Sequence, residues 1–353
     1  MLEKIKFYQT GSKTVGNRLL NPSMRSIQAS VDRPGSLISG HRACQGCGEA
    51  LGARYAIDAA MRATGGQLMV VNATGCLEVF STPYPESAWR LPWLHSLFGN
   101  AAAEASGLSF AAEIRAEKNG DNITPRVIAQ GGDGGTTDIG MGCLSGMFDR
   151  NDDVLYICYD NEAYMNTGVQ RSSATPPAAR TATTMPVGEH PGADWGKGKD
   201  VPLIAMAHGI PYVATATVAD LRDLEQKVTK AMSFKGARYI QILVPCPLGW
   251  GLASNATVTA ARLAMETGFY PVYEAEYGRV TSVRKIQQKQ PVLNYLKIQR
   301  RYAHLTGKKA DPNVVARLQA MCDKNIERFG LLGDDEPVSN PIAIQAFERS
   351  ERV

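Results

Sequence analysis

The chain has 353 residues, of which 44% are hydrophobic and 20% charged, with a formal net charge of +4. That length can bury the core of one large α/β domain with extensions, or of two small domains. No apolar run approaches the roughly 18 residues that a membrane helix needs, and no signal peptide is recognisable, so we expect a soluble, cytoplasmic protein. Seven cysteines scattered over so long a chain argue against a secreted disulfide framework and favour reduced thiols or metal ligands.

The first predicted helix follows a closely spaced pair of cysteines. Residues 1–36 show neither helical nor strand periodicity, and we expect them to form an arm over the core or over a neighbouring subunit. Apolar residues recur at helical spacing over residues 51–61, before Thr64-Gly65-Gly66. The apolar run at 68–71 predicts a buried strand, and the Pro- and Trp-containing stretch at 83–93 predicts a structured loop.

Strands and helices alternate in the centre of the chain. Residues 172–200 interrupt the alternation with prolines and glycines, which is typical of a lid or binding loop. The alternation predicts an α/β fold with a mostly parallel sheet, helices on both faces and ligands at the carboxyl ends of its strands. The predicted strands are at 127–129, 154–159, 212–215 and 239–244, and the predicted helices at 101–116, 203–208 and 220–233.

A glycine cluster with one aspartate follows the strand at 127–129. In the run from Gly131 to Gly135, the lack of side chains lets a diphosphate approach backbone N–H groups, and Asp133 can bind a magnesium ion held between the phosphates. Magnesium usually takes one or two protein carboxylates beside phosphate oxygens and water. The next strand ends at Asn161, so the Asn161 side-chain oxygen and the backbone carbonyl of Ala163 are candidate ligands. Gly-Asp-Gly by itself is also common in simple turns.

The two turns together resemble the magnesium and diphosphate motif of thiamine diphosphate enzymes. The continuation from Glu162 to Gln170 is more narrowly similar to the 2-oxoacid:acceptor oxidoreductases, the pyruvate:ferredoxin oxidoreductase family. The resemblance covers about residues 37–250 and implies a thiamine-diphosphate-binding β subunit, with 1–36 as an arm and 251–353 as a C-terminal extension for subunit contacts. Val169 and the residues after it depart from the commonest family text, which often reads Gly-Gly-Gln.

Four cysteines are candidates for one shared metal group. Cys44-x2-Cys47 by itself fits a zinc half-site, a redox dithiol or chance. Cys76 and Cys246 each follow a predicted strand, so four thiolates can converge on one [4Fe-4S] cluster at the ligand edge of the sheet. The resemblance matches the same four positions to the family's cluster ligands, and zinc at these positions stays open. The other cysteines match nothing and should pack as small core residues: Cys143, Cys158 and Cys322.

Further site residues follow from the resemblance. Glu49 matches a family position near the cofactor, although a carboxylate in the first turn of a helix is also favoured by the helix dipole. Asn166 and Thr167 match positions beside the thiazolium and the substrate, with a hydrogen-bonded turn pair as the alternative. The remaining cofactor contacts that the resemblance implies are Gly48, Gly75, Gly132, Asp133, Gly134, Gly135 and Asn161.

The resemblance implies an activity that needs both sites. Family members oxidatively decarboxylate a 2-oxoacid on thiamine diphosphate and Mg²⁺, transfer the acyl group to coenzyme A and pass electrons singly to a [4Fe-4S] cluster. Pyruvate is the default substrate, and an aryl 2-oxoacid such as phenylglyoxylate is an alternative. We expect an α subunit with the pyrimidine-binding domain, γ/δ-type subunits with further clusters, and ferredoxin or an NAD-linked module as acceptor. The alternatives are a non-redox thiamine diphosphate decarboxylase or synthase, and a zinc-stabilised scaffold subunit.

A basic stretch lies near the C-terminus. Residues 279–309 contain nine Lys and Arg and no Asp or Glu. We interpret this stretch as a solvated or subunit-facing surface, with docking of an acidic ferredoxin as a further option. Because the chain has no recognisable nucleic-acid module, we do not expect nucleic-acid binding.

Overall fold

Eight strands form one sheet in the order β2-β1-β3-β4-β6-β5-β7-β8. The strands from β2 to β5 in this order run parallel to their neighbours, whereas β7 and β8 are antiparallel additions. The predicted mostly parallel sheet is therefore confirmed. The strands are β1 Leu68–Asn72, β2 Trp93–His95, β3 Arg126–Gly132, β4 Val154–Asp160, β5 Tyr212–Thr217, β6 Arg238–Leu243, β7 Tyr273–Glu276 and β8 Arg279–Val283.

The computed structural model describes residues 33–83, 86–194, 198–307 and 310–333. The described residues from Gly35 onward form one compact unit, and the predicted arm at 1–36 lies almost wholly outside the described residues. None of the helices in the described part of the chain is long and apolar enough to cross a membrane. These helices are α1 Gly48–Ala63, α2 Cys76–Ser81, α3 Ala101–Asn119, α4 Met141–Asp149, α5 Val201–Ala207, α6 Leu221–Ser233, α7 Pro247–Trp250, α8 Thr257–Glu266, α9 Val292–Lys297 and α10 Pro312–Phe329.

The central strands are buried on both faces. Every residue of β4 and of β6 is buried, as expected for parallel strands that are covered by helices on each side. Local signals set the helix ends: the side chain of Asp220 accepts a hydrogen bond from the Asp223 amide to cap α6, and Gly120 ends α3 in the left-handed conformation. Because these neighbouring strands are parallel, their carboxyl ends lie at one edge of the sheet, where the predicted ligand turns lie.

Two segments differ from simple surface loops. The segment that follows β4 is irregular at 172–194 but closely packed: Ser172 and Thr175 are buried, and Thr175 Oγ1 accepts from the Ser172 amide and donates to the Glu162 carbonyl. Residues 251–333 add β7, β8 and helices that pack around Trp250, Tyr295 and Tyr302. The predicted C-terminal extension therefore contributes to the same sheet and to a shared core.

The basic stretch does not form one charged surface. Arg284 pairs with Asp220 at 2.8 Å and Lys289 pairs with Asp323 at 2.8 Å. The interpretation as a solvated surface is wrong for Arg301, which is 5% exposed because it pairs with a buried carboxylate. Lys308 and Lys309 lie outside the described residues.

Candidate active site

Two turns meet at the carboxyl edge of the sheet because β3 and β4 are parallel neighbours, with Gly132 beside Tyr159. Asp133 is buried after β3, and its Oδ2 accepts a short hydrogen bond from Ser172 Oγ. Asn161 is buried after β4, and its Nδ2 donates to Glu49 Oε2 at 3.2 Å. Among the described residues, Oδ1 of Asp133 and Oδ1 of Asn161 have no hydrogen-bond partner. Buried oxygens rarely lack a partner, so this pair fits a bound cation.

The glycines of the turn have different neighbours. A Cβ at Gly134 would lie 2.3 Å from the Tyr164 ring, and one at Gly135 would lie 2.9 Å from the carbonyl oxygen of Phe98. Tyr164 also donates from its hydroxyl to the Gly134 carbonyl at 3.0 Å. By contrast, a Cβ at Gly132 would meet nothing within 4 Å. Gly134 and Gly135 therefore permit packing of the protein on itself, and Gly132 leaves space that a phosphate can use.

Burial makes ionisation of the carboxyl groups at this edge of the sheet unfavourable. Burial, together with the charge of the neighbouring Glu162, raises the pKa of Asp160 to about 8. Asp160 accepts hydrogen bonds from the Glu162 amide at 3.0 Å and from Gln241 Nε2 at 2.7 Å. Burial and the charge of Asp160 likewise raise the pKa of Asp133. A cation at Asp133 would offset both effects.

Three of the four predicted cluster ligands lie at the N-terminal ends of helices. Cys47 caps α1 and accepts from the Ala50 amide at 3.4 Å, Cys246 caps α7 and accepts from the Gly249 amide at 3.3 Å, and Cys76 begins α2. Burial raises the pKa of Cys47 to about 12, with smaller contributions from Glu49 and from Cys246. Burial likewise raises the pKa of Cys76, and charge interactions with Cys47 and Cys246 contribute to this increase. Burial also raises the pKa of Cys246, with a contribution from Cys44. A ligated metal group would have to displace these protons.

The kind of metal group at the four cysteines, a cluster or zinc, stays a prediction. Among the described residues, no three His, Cys, Asp or Glu side chains are grouped to hold a single metal ion. In a [4Fe-4S] cluster each thiolate binds a different iron, so the ligands are spaced more widely than around one ion. The proposed magnesium shell has a single carboxylate, that of Asp133, beside an amide and a backbone oxygen, which suits a cation that keeps phosphate and water ligands.

Glu49 lies between Asn161, in the turn after β4, and the cysteines. It is 3% exposed, and burial raises its pKa to about 7. Its charge acts on Cys47 and Cys76, and its carboxylate accepts the hydrogen bond from Asn161. The preceding Gly48 permits this approach, because a Cβ there would lie 2.7 Å from the Pro245 carbonyl oxygen. Glu49 is thus both a first-turn helix residue and a buried group at the centre of the edge.

Asn166 and Thr167 lie on an exposed turn. Thr167 Oγ1 donates to Gln170 Oε1 at 2.5 Å, and the Tyr164 amide donates to the Gln170 carbonyl at 2.9 Å. Val169 has a φ of +63°, which is unusual for a β-branched residue. Of the other cysteines, Cys158 and Cys322 are fully buried and Cys143 is half-buried against the core.

Comparison with known proteins agrees with this arrangement. Residues 73–242 match the family described as thiamine pyrophosphate enzyme, C-terminal TPP binding domain. Pyruvate synthase subunit PorB of Methanocaldococcus jannaschii is 48% identical over 83% of this chain and 95% of its own length. Ketoisovalerate oxidoreductase subunit VorB of Pyrococcus abyssi is 40% identical over 77% of this chain and 86% of its own. The chain belongs to the 2-oxoacid oxidoreductase β subunits.

A solved member of this class of enzyme shows a related fold. The structure of 2-oxoglutarate:ferredoxin oxidoreductase from Magnetococcus marinus, with 2-oxoglutarate, coenzyme A and succinyl-CoA bound, has a TM-score of 0.50 and 25% identity to this β subunit. The likeness covers 60% of this chain and 66% of that chain. Together with the family match, it identifies the sheet as a thiamine-diphosphate-binding α/β fold.

Several residues of the β subunit's site were missed by sequence reasoning. Ser172 bonds to Asp133, Tyr164 packs on the glycine turn, and Trp250 and Arg301 contact the turn after β4. Ser172 and Tyr164 lie in segments that already carried a motif or a loop signal. Arg301 is far from the motif in sequence, and no local pattern indicated its partner.

Proposed function

We propose that this β subunit contributes to a complex that oxidises pyruvate, or a related 2-oxoacid, to an acyl-CoA and carbon dioxide. In balanced form, R–CO–COO⁻ and CoA-SH give R–CO–S-CoA, CO₂, H⁺ and two electrons. The relatives named as pyruvate synthase subunits support pyruvate as the first candidate. The observation that carries the proposal is the pair of buried, unpartnered oxygens of Asp133 and Asn161 at adjacent strand ends among the described residues.

In this proposal the chain's own residues bind and orient the cofactors. Asp133, the Asn161 side chain and the Ala163 carbonyl hold Mg²⁺, and the space at Gly132 admits the diphosphate. Gly75 also leaves open space, Gly48, Gly134 and Gly135 let the chain pack closely on itself around the cofactor, and Asn166 and Thr167 orient the substrate. When bound, thiamine diphosphate supplies the electron sink for decarboxylation. Glu49 lies between the two sites and accepts the hydrogen bond that orients the Asn161 side chain.

The sulfur ligands complete the redox part of the proposal. Cys44, Cys47, Cys76 and Cys246 hold a [4Fe-4S] cluster, which takes electrons one at a time. Further clusters on γ/δ-type subunits and an acceptor such as ferredoxin, or an NAD-linked module, receive them. The pyrimidine-binding domain comes from an α subunit, so we expect the isolated β subunit to be inactive.

Anaerobic purification of the native complex tests the activity. We expect coenzyme-A-dependent release of CO₂ with reduction of ferredoxin or NAD, fastest with pyruvate in a panel that includes 2-oxoisovalerate, 2-oxoglutarate and phenylglyoxylate. Release of CO₂ without reduction of an acceptor would identify a non-redox enzyme instead. Activity of the β subunit alone would contradict the need for an α partner.

Matched cysteine variants test the cluster. Relative to the complex with the wild-type chain, the complex with Cys76→Ala should lose about four irons and four sulfides and the visible absorption of one [4Fe-4S] cluster, while the clusters of the γ/δ-type subunits remain. Cys143→Ala, at a half-buried cysteine outside the group, should leave the iron content and the absorption unchanged. An iron content that Cys76→Ala does not change, together with zinc bound to the wild-type β subunit, would overturn the cluster assignment.

A further inference from the structure

The residue between two proposed magnesium ligands has an unusual backbone conformation. Glu162 lies between Asn161 and Ala163, and its φ is +67°. A residue with a Cβ adopts the left-handed region only when its surroundings hold it there. This conformation sets the direction of the peptide groups on both sides, and hence the positions of the Asn161 side chain and the Ala163 carbonyl. Whatever holds Glu162 therefore also positions the proposed ligands.

The side chain of Glu162 is held by one buried cation. Its carboxylate is 2.5 Å from Arg301 Nη2, and the two side chains are 5% and 4% exposed. Arg301 is fixed in turn, because its Nε donates to Gln299 Oε1 at 2.8 Å and its Nη2 donates to the Tyr295 hydroxyl at 3.2 Å. A planar guanidinium fixed by several bonds is a rigid partner for a carboxylate.

The same arginine reaches the turn by a second route. Its guanidinium carbon is 3.7 Å from the centroid of the Trp250 ring, a close cation–π contact. Trp250 Nε1 donates to the backbone carbonyl of Asn161 at 2.8 Å. From the other side, Thr175 Oγ1 donates to the Glu162 carbonyl at 2.7 Å. The turn after β4 is thus bonded at consecutive residues, and two of these contacts lead to Arg301.

Arg301 belongs to a part of the chain that lacks the cofactor motifs. It lies in the 3₁₀ helix Arg300–Leu305, beyond the residues 73–242 that match the cofactor-binding family. We propose that Arg301 is a positioning residue for the magnesium site: its buried pair with Glu162 and its contact with Trp250 hold the left-handed turn that aims Asn161 and Ala163 at the metal. This inference rests on the proposed function, because it concerns the same Mg²⁺ site.

The test compares two buried arginines on the full-length chain in its assembled complex. Arg301→Met removes the proposed brace, and Arg238→Met removes an arginine that is equally buried but pairs with Asp153 at the opposite end of β6. The readouts are the Mg²⁺ concentration that half-saturates thiamine diphosphate binding, by equilibrium dialysis, and the thermal unfolding midpoint. We expect both variants to lower the midpoint, and only Arg301→Met to raise the Mg²⁺ requirement, by roughly tenfold or more.

A rescue variant separates positioning from general stability. Glycine adopts φ near +67° without strain and carries no charge, so Glu162→Gly combined with Arg301→Met leaves no unpaired charge at this pair. We expect this double variant to restore the Mg²⁺ requirement to within about threefold of wild type. If the Arg301→Met variant does not fold, the double variant still tests the proposal. Arg301→Lys should rescue only in part, because an ammonium lacks the planar fork and the stacking surface.

The outcomes distinguish this inference from the function on which it rests. If the wild-type complex binds no thiamine diphosphate in a Mg²⁺-dependent manner, the proposed function fails and the inference fails with it. If the wild type does bind it and Arg301→Met shows an unchanged Mg²⁺ requirement, only the inference is overturned. A folded double variant that still needs tenfold more Mg²⁺ would likewise overturn it.

Discussion

The two ends of the central strands hold acids in opposite electrostatic surroundings. At the amino end of β4, Asp153 accepts hydrogen bonds from Arg126 at 3.1 Å and from Arg238. Burial opposes ionisation of Asp153, but the two arginines outweigh burial and lower its pKa. At the carboxyl end, Asp133 and Asp160 are buried beside each other, no arginine of the described part of the chain bonds to either, and their pKa values are raised.

The difference indicates which end awaits a ligand. Both carboxylate oxygens of Asp153 have partners from the chain itself, so this acid is satisfied when the protein folds. Asp133 keeps one oxygen without a partner among the described residues. A buried acid that the chain leaves unsatisfied costs stability, and such costs are retained where a ligand or metal compensates for them. The acid at the amino end of the strands therefore stabilises the fold, and the acids at the carboxyl end are the ones that a bound cation would compensate.

The largest expected effect is at the amino end. Arg238→Met removes the arginine closest to Asp153 and leaves the carboxylate with Arg126 and Lys235. We expect the free energy of unfolding to fall by about 3 kcal/mol, because loss of the fully buried Arg238 leaves the charge of the half-buried Asp153 partly uncompensated. Urea denaturation at pH 7 measures this loss, and binding of thiamine diphosphate to the folded variant should not change.

The pH dependence of the free energy of unfolding tests this prediction further. The folded pKa of Asp153 is lowered, so the ion cluster stabilises fully above the unfolded pKa of about 4, and that contribution is lost as the pH falls through the folded pKa. The difference between wild type and Arg238→Met should therefore narrow on acidification. A constant difference down to pH 2 would show that Arg238 stabilises through packing alone.

The same substitution at the two ends should have opposite consequences. Asp133→Asn removes a buried negative charge beside Asp160, so we expect the cofactor-free protein to be as stable as wild type or more stable. Binding of thiamine diphosphate with Mg²⁺ should weaken at least 100-fold, or about 2.8 kcal/mol, because the carboxylate of the proposed magnesium shell is lost. Calorimetric titration of the assembled complex measures the binding.

Asp153→Asn is the matched control for that substitution. We expect it to destabilise the protein and to leave cofactor binding unchanged, since it removes the charge that Arg126 and Arg238 compensate. If Asp133→Asn destabilised the cofactor-free protein as much as Asp153→Asn does, the two ends would not differ in the way described above.

Features with local signals could be predicted from the sequence. The parallel sheet follows from apolar runs separated by helices and turn residues, and the glycine turn at 131–135 lies at a strand end as expected. The pairing of Glu162 with Arg301 could not be predicted, because no periodicity links residues so far apart. A run of basic residues suggested a surface, yet one member fills a buried position that only the tertiary fold creates. The antiparallel strands β7 and β8 were missed because each is short.

The smallest expected effect concerns strain in the turn beside the carboxyl end. Val169 has a φ of +63°, and its amide and carbonyl are held by Tyr164 and Ala182 at 3.0 and 2.9 Å. Glycine relieves a strain of about 1–3 kcal/mol but gives the unfolded chain more freedom, worth about 0.5–1 kcal/mol. We therefore expect Val169→Gly to stabilise the protein by about 1 kcal/mol, as measured by the urea midpoint at constant slope.

Val187→Gly makes the same chemical change without the strain. Val187 is 67% exposed in the loop after β4 and does not have a positive φ, so its replacement should cost about 0.5 kcal/mol through unfolded-state entropy. Opposite signs for the two variants would attribute the gain at position 169 to backbone strain. Destabilisation by both would mean that packing of the Val169 side chain outweighs its strain. In that case valine, in place of the glycine that is usual in the family, stabilises the protein. Packing of the Val169 side chain would then determine the conformation of the 164–170 turn.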